Sequence, residues 1–148
     1  MRRRTIFSLF LILIVFTTLT FTQPQHIQHF YNVDKEVKVE GTIQQISMEP
    51  LYKSRAPFLI LILEQKDTRQ LYRVEISPAW FFEHDLHQGE SLVAIGSLYT
   101  TDESNQNIIA REIRFRGETL ILRDKHGFPN WRGGPHMKKK GIRKGKGH

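Results

Sequence analysis

Residues 37–44 alternate strictly: Val37, Val39, Gly41 and Ile43 share one parity, and Lys38, Glu40, Thr42 and Gln44 the other. A period of two with one polar side predicts a half-buried strand. The phase then slips, because the next apolar residues are Ile46 and Met48. Such a slip predicts a bulge or sharp coil near Gly41 or Gln44-Gln45, the device with which a small barrel bends a long first strand.

The segments that follow narrow the architecture. FLILILE at 58–64 is apolar on both faces, and QLYRVEI at 70–76 places Tyr72, Val74 and Ile76 on one parity. Lys66-Asp67-Thr68-Arg69 between them suits a short hairpin connection. In SPAWFFEHDL (77–86) Ser77 can cap a helix and Pro78 fits its first position, where the missing N–H costs nothing. A helix is therefore expected from Pro78 to about Leu86, ending before Gly89. Strands resume at ESLVAIGSLYT (90–100) and NIIAREIRF (107–115), joined by a polar turn at Asp102–Asn105, and a short strand TLILRD (119–124) leads into KHGFPNW.

Three strands, a short helix and two more strands is the order of an OB-type barrel, a five-stranded Greek key closed at one end by the helix between its third and fourth strands. The expected fold class is all-β with one short helix: an OB-like barrel plus a short C-terminal strand. The rings at 80–82 are expected to plug the barrel. Two of them, burying about 150–250 Å² each at about 25 cal/mol/Å², contribute on the order of 8–12 kcal/mol before entropy is counted.

Charge is distributed unevenly. The chain carries +7 with a pI near 9.9, but Arg2, Arg3 and Arg4 open it, and Arg132, Lys138, Lys139, Lys140, Arg143, Lys144 and Lys146 close it. That leaves 12 basic residues against all 15 acidic ones between 23 and 131, a balance of −3. A mildly acidic body thus wears two basic tags, which argues against a domain face that grips a polyanion.

The first tag precedes an apolar run, IFSLFLILIVFTTLTF (6–21), and reads as an export signal with its arginines on the cytoplasmic side. Its 16 residues make a helix of roughly 24 Å against a hydrocarbon layer of ~30 Å, and no Ala-x-Ala site precedes Gln23. Cleaved signal and retained membrane anchor both stay open. The expected organisation is 1–22 signal or anchor, 23–32 spacer, 33–131 barrel and 132–148 basic disordered tail. The body is expected outside the cytoplasm, on the periplasmic or cell-surface side, released or anchored. With no cysteine in the chain, no disulfide, lipidated cysteine or thiolate ligand is available.

Gly41-Thr42-Ile43, Ser77-Pro78-Ala79-Trp80-Phe81, Val93-Ala94-Ile95-Gly96-Ser97-Leu98, Ala110-Arg111-Glu112-Ile113 and Leu122-Arg123-Asp124-x-x-Gly127-x-Pro129-x-Trp131 resemble a family of small exported bacterial OB-like proteins. They are similar also to the domain shared by the magnetosome proteins MamS and MamX. The resemblance spans about 33–131 and rests on turn and core positions, so it implies fold and address and transfers no catalytic residue. MamX-type proteins carry haem-binding Cys-x-x-Cys-His motifs, which a chain without cysteine cannot form.

Candidate contacts follow from the residues. His84-x-x-His87 puts two imidazoles near one face of the expected helix, and His26-x-x-His29 forms a second pair. A structural zinc wants four ligands and a catalytic zinc three, so the pairs alone make no site, and no cofactor is expected. Arg73, Tyr99, Arg111, Arg123, His126 and Trp131 are candidate contacts for a ligand or partner. Arg123–Gly127 also reads as a plain chain reversal, with Trp131 folding back on the barrel. Lys138, Lys139, Lys140, Arg143, Lys144 and Lys146 are candidate contacts to anionic lipid headgroups or an envelope polymer; a solubilising end is the plainer use of such a tail.

The sequence holds no nucleophile–base pair at an informative spacing, no phosphate-cradling glycine loop and no carboxylate pair that stands out from surface acids. The expectation is a non-enzymatic, extracytoplasmic binding or assembly module that meets an envelope protein, a glycan or an anionic lipid surface. Two alternatives stand beside it: a nucleic-acid-binding OB protein, and a metal-handling or redox accessory of magnetosome type. Acids lie among the strand arginines and Tyr99 is the one evident stacking ring, so nucleic acid is the weaker partner.

Overall fold

The computed structural model describes residues 30–52, 56–100 and 106–133. The expected export segment, most of the spacer, the turn at 101–105 and the tail from residue 134 lie outside them. After a 3-10 turn at Val33–Lys35 come six strands: β1 (Glu36–Glu49), β2 (Phe58–Gln65), β3 (Leu71–Pro78), β4 (Ser91–Thr100), β5 (Gln106–Phe115) and β6 (Glu118–Ile121).

β1 is long enough to serve two neighbours. Glu36–Thr42 pairs with β4, and Gly41–Glu49 pairs with β2. The register against β2 shifts between Ile43 and Gln45, which places the expected bulge at Gln44 and bends the strand from one partner to the other. β2 continues antiparallel to β3, β4 to β5, and β3 pairs with β5 in parallel. The circuit β1-β2-β3-β5-β4 therefore closes into a five-stranded barrel of OB type. β6 adds a sixth strand on the outer run of β5.

The inside of the barrel takes alternate residues from each strand, with the parity of β5 switching across the irregularity at Arg111. Leu61, Leu63, Val74, Ile76, Ile108 and Ile113 are among its fully buried members. FLILILE is apolar on both faces for a reason that emerges only here: Leu59, Leu61 and Leu63 enter the barrel core, while Phe58 and Ile60 are buried on the opposite face. Strands approach closely at two glycines. A Cβ on Gly41 would stand 2.2 Å from the Glu64 carbonyl oxygen, and one on Gly96 would stand 2.1 Å from that of Ile109.

The expected helix at Pro78–Leu86 does not form. Ser77 and Pro78 instead finish β3, paired with Leu59 and Phe58, and the Ser77 hydroxyl turns to the Pro78 carbonyl. Ala79 N–H donates to Pro57 O at 2.8 Å and Phe81 N–H to Pro78 O at 2.9 Å, so a tight turn replaces the first helical turn. Pairing with β2 takes Ser77 and Pro78 into the sheet, and a helix confined to the short stretch left before Gly89 is marginal on its own. The rings keep their role nonetheless: Phe81 is buried in the core, with Trp80 and Phe82 packed against it. The last strand is also shorter than expected. It ends at Ile121, and Arg123 makes an isolated bridge to Pro129.

Because the atoms facing Gly96 belong to backbone, they cannot yield as a side-chain end would. Gly96→Ala is expected to lower stability by about 3 kcal/mol, the upper part of the overpacking range, measured as a shift of the urea midpoint at unchanged m-value. A midpoint equal to that of the unaltered chain would show that the β4–β5 approach is looser than described.

Candidate functional site

On the outer face of the barrel, Ile60, Glu75, Ile109 and Ser97 are successive register partners across β2, β3, β5 and β4. All four are buried, and Glu75 is 0% exposed. A carboxyl group held between two isoleucines needs partners of its own, because an uncompensated buried charge costs several kcal/mol. Three side chains supply them. The hydroxyls of Tyr52 and Tyr99 donate to its two oxygens, and Arg73 Nη1 donates at 3.1 Å.

Each partner is held in turn. Arg73 Nη2 donates to Glu49 Oε2 at 2.6 Å, and Ser47 Oγ donates to Glu49 Oε1 at 3.0 Å. Burial pulls the Arg73 guanidinium down, but the Glu49 hydrogen bond and the nearby carboxylates more than offset it and hold it above its ordinary value. Burial pushes Glu49 up, and Arg73 reverses this to leave it below the usual carboxylate range. Burial first, then the charge and hydrogen bond of Glu75, raise the phenols of Tyr52 and Tyr99 well above the free value.

The C-terminal segment covers the neighbouring surface. Arg123 is buried and its Nε donates to Ala110 O at 3.1 Å. Its guanidinium lies 4.6 Å from the centroid of the Trp131 ring, a cation–π contact sheltered from water. Burial lowers Arg123, and Tyr52 and Glu75 partly restore it. Trp131 meets Phe81 at 5.4 Å and Phe58 at 6.0 Å, so it is the clasp that the turn chemistry suggested. Asp124 Oδ1 accepts from the N–H groups of His126 and Phe128, both at 2.9 Å, and Gly127 takes φ +85°.

Of the candidate contacts, Arg73 and Tyr99 thus meet at Glu75, and Arg123 and Trp131 pack on each other in the C-terminal segment. Arg111 lies apart: its Nε donates at 2.6 Å to Glu36, which also accepts from the Tyr31 hydroxyl. His126 is exposed on the C-terminal turn. His84 and His87 do not share a partner, for His84 faces Glu118 at 3.8 Å and His87 faces Glu90 at 3.2 Å. Among the described residues no group of three or more His, Cys, Asp or Glu side chains is gathered as a metal set. The lysines and arginine of the tail lie outside the described residues.

Sequence reasoning missed Glu75, Tyr52 and Glu49. Glu75 read as one acid among exposed arginines, yet a signal was present: a neighbouring strand apolar on both faces means that the outer face is covered too. No buried side-chain nitrogen or oxygen in the described part lacks a hydrogen-bond partner. The cluster fastens the loop at Tyr52 and the end of β4 to the barrel wall, and Arg123 ties the C-terminal segment to β5.

A closed five-stranded barrel with a sealed polar row on its wall defines a small OB-like module. The chain belongs to the MamS/MamX magnetosome protein family, whose model matches residues 35–120. No curated protein and no solved structure matches it. Among the described residues no helix is long and apolar enough to cross a membrane.

Two outcomes follow. The unfolded chain releases its phenolic protons near pH 10, whereas folded Tyr31, Tyr52 and Tyr99 hold theirs to higher pH; their contribution is intact below pH 10 and is lost as pH rises beyond it. Absorbance at the phenolate band should therefore rise together with unfolding, and the penalty for Tyr99→Phe, about 2 kcal/mol at neutral pH for a hydrogen bond to a charged group, should shrink above pH 10. Ionisation of all the tyrosines of the folded chain near pH 10 would count against the network. Trp131→Ala should cost about 3 kcal/mol, the low end for a large aromatic because the ring is half-buried, read from urea denaturation.

Proposed function

We propose that this chain is a non-enzymatic, extracytoplasmic module of the magnetosome type, which binds or assembles with partners through the surface of its barrel. The observation that carries this reading is that the polar side chains best placed to grip a ligand are spent on one another. Arg73, Tyr99, Arg123 and Trp131 hold Glu75 and the C-terminal clasp, which supports a rigid scaffold over a reaction centre. Family membership supports the magnetosome setting, and the apolar run behind Arg2–Arg4 supports an address across the membrane. Envelope proteins, glycans and anionic lipid are the partner classes such a module would meet.

The same geometry disfavours nucleic acid. Arg73, Arg111, Arg114 and Arg116 are each paired with a carboxylate, of Glu49, Glu36, Glu112 and Glu90 respectively. A strand-binding groove needs cations that trade counterions for phosphates.

Reporter fusions test the address. The full chain joined after His148 to alkaline phosphatase should be active in a bacterial host, and joined to a green fluorescent protein that matures only in the cytoplasm it should be dark. In a magnetosome-forming cell the tagged chain should fractionate with magnetosome membrane. A bright cytoplasmic fusion, or an even spread through the soluble fraction, would reject the reading.

A further inference from the structure

The two ends of the described chain meet on one side of the barrel. The Tyr31 ring lies directly on Gly127, where a Cβ would stand 2.2 Å from Tyr31 Cδ1. Asn32 N–H fixes the same N-terminal segment to Ser97 Oγ at 3.0 Å. Phe30, just before that contact, is 74% exposed, and Phe128, just after it, is 51% exposed. Two large rings thus stand in water beside a point where the chain is firmly held.

Basic side chains flank the Phe128 ring. The Arg132 guanidinium lies 3.9 Å from the centroid of the Phe128 ring, and Lys125 and His126 are exposed on the same turn. Of the nearby acids, Glu36 is paired with Arg111 and Tyr31 and Asp124 caps its own turn through backbone N–H groups, while Asp34 is exposed on the turn after Asn32. Beyond Gly133 the sequence adds Lys138, Lys139, Lys140, Arg143, Lys144 and Lys146 with no acid. On the other side, the apolar run closes at Phe21 and Thr22 precedes Phe30 by eight residues. At no more than about 3.5 Å per residue, that stretch keeps Phe30 within roughly 30 Å of the end of the run.

We propose that this side of the barrel is a docking surface for an anionic lipid bilayer, with Phe30 and Phe128 entering the headgroup boundary and Arg132, Lys125 and the tail cations meeting the headgroups. Two exposed rings, one of them under Arg132 and beside Lys125, with a polybasic sequence on one side and an apolar run on the other, fit the interface between charged headgroups and acyl chains. A protein partner would have no need for an unbroken series of like charges. The proposal rests on reading 6–21 as a membrane-targeting segment and adds which face turns to the bilayer. Phe30, Phe128 and Arg132 lie outside the matched family range of 35–120, so the surface is argued from this chain alone.

The absence of cysteine makes a direct test available. Phe30→Cys, Phe128→Cys and, at the end of the barrel where β4 begins, the exposed reference Gln88→Cys are introduced singly into the full chain. Each carries a nitroxide and is reconstituted in phosphatidylcholine–phosphatidylglycerol or pure phosphatidylcholine vesicles. All three positions are exposed, so near-UV circular dichroism should match the unaltered chain. In the anionic vesicles the labels at 30 and 128 should be several-fold more accessible to oxygen, and less to a water-soluble nickel chelate, than the label at 88. The difference at 128 should diminish in neutral vesicles, at high salt, and when the six tail cations are replaced by Gln.

Labels at 30 and 128 as wet as that at 88, on a chain that floats with the vesicles, would overturn the docking surface and leave the targeting segment standing. A chain that floats with no vesicle would overturn both readings. Protection of 128 that appears in detergent and grows with protein concentration would assign the patch to a second copy, against lipid.

Discussion

The parallel pairing of Tyr72–Glu75 with Gln106–Ile109 is the constraint on which the rest of this structure depends. It joins β3 to β5 and turns an open sheet into a ring, so that no strand of the circuit keeps a free edge. A parallel pair cannot be made by a hairpin and needs a crossover, which β4 and the 79–90 connection provide. Closure also forces the two parities of β3 to opposite fates: Tyr72, Val74 and Ile76 go into the barrel, and Arg73 and Glu75 go to its wall.

That wall is not a wet surface. Glu75 lies between Ile60 and Ile109, and a carboxyl group there is tolerated only because two phenols and a guanidinium reach it. The requirement propagates outward. Tyr52 must be held over β3 by the loop after β1, Arg73 must be matched by Glu49, and beside them Arg123 and Trp131 pack the returning C-terminal segment against the barrel. A polar network of this kind adds little net stability but makes incorrect placements of the same segments costly. The barrel is thereby locked to its loop and its clasp as one unit.

The family match covers the barrel from 35 to 120 and stops short of both ends. Among the described residues, the most exposed rings, Phe30 and Phe128, lie just outside that range.

Much of the architecture was legible in the residues. Strict alternation at 37–44, the slip at Gln44, the hairpin at 66–69, the apolar 58–64 and the turn chemistry of Asp124 and Gly127 are local, and local periodicity decides parity and bends. Ser77-Pro78 misled because capping preference is a weak local term, and pairing with Leu59 and Phe58 outweighed it. The site was legible only in pieces: Arg73, Tyr99, Arg123 and Trp131 stood out singly, but Glu75 did not, since burial of an outward-facing residue depends on what folds over it from elsewhere. The sequence by itself determined the strands, their inner faces, the charge of the ends and the lack of any thiol. Only the tertiary structure decided that β3 meets β5, that the wall behind Glu75 is sealed, and that Tyr31 rests on Gly127, because each of these joins residues dozens of positions apart whose chemistry is ordinary until they touch.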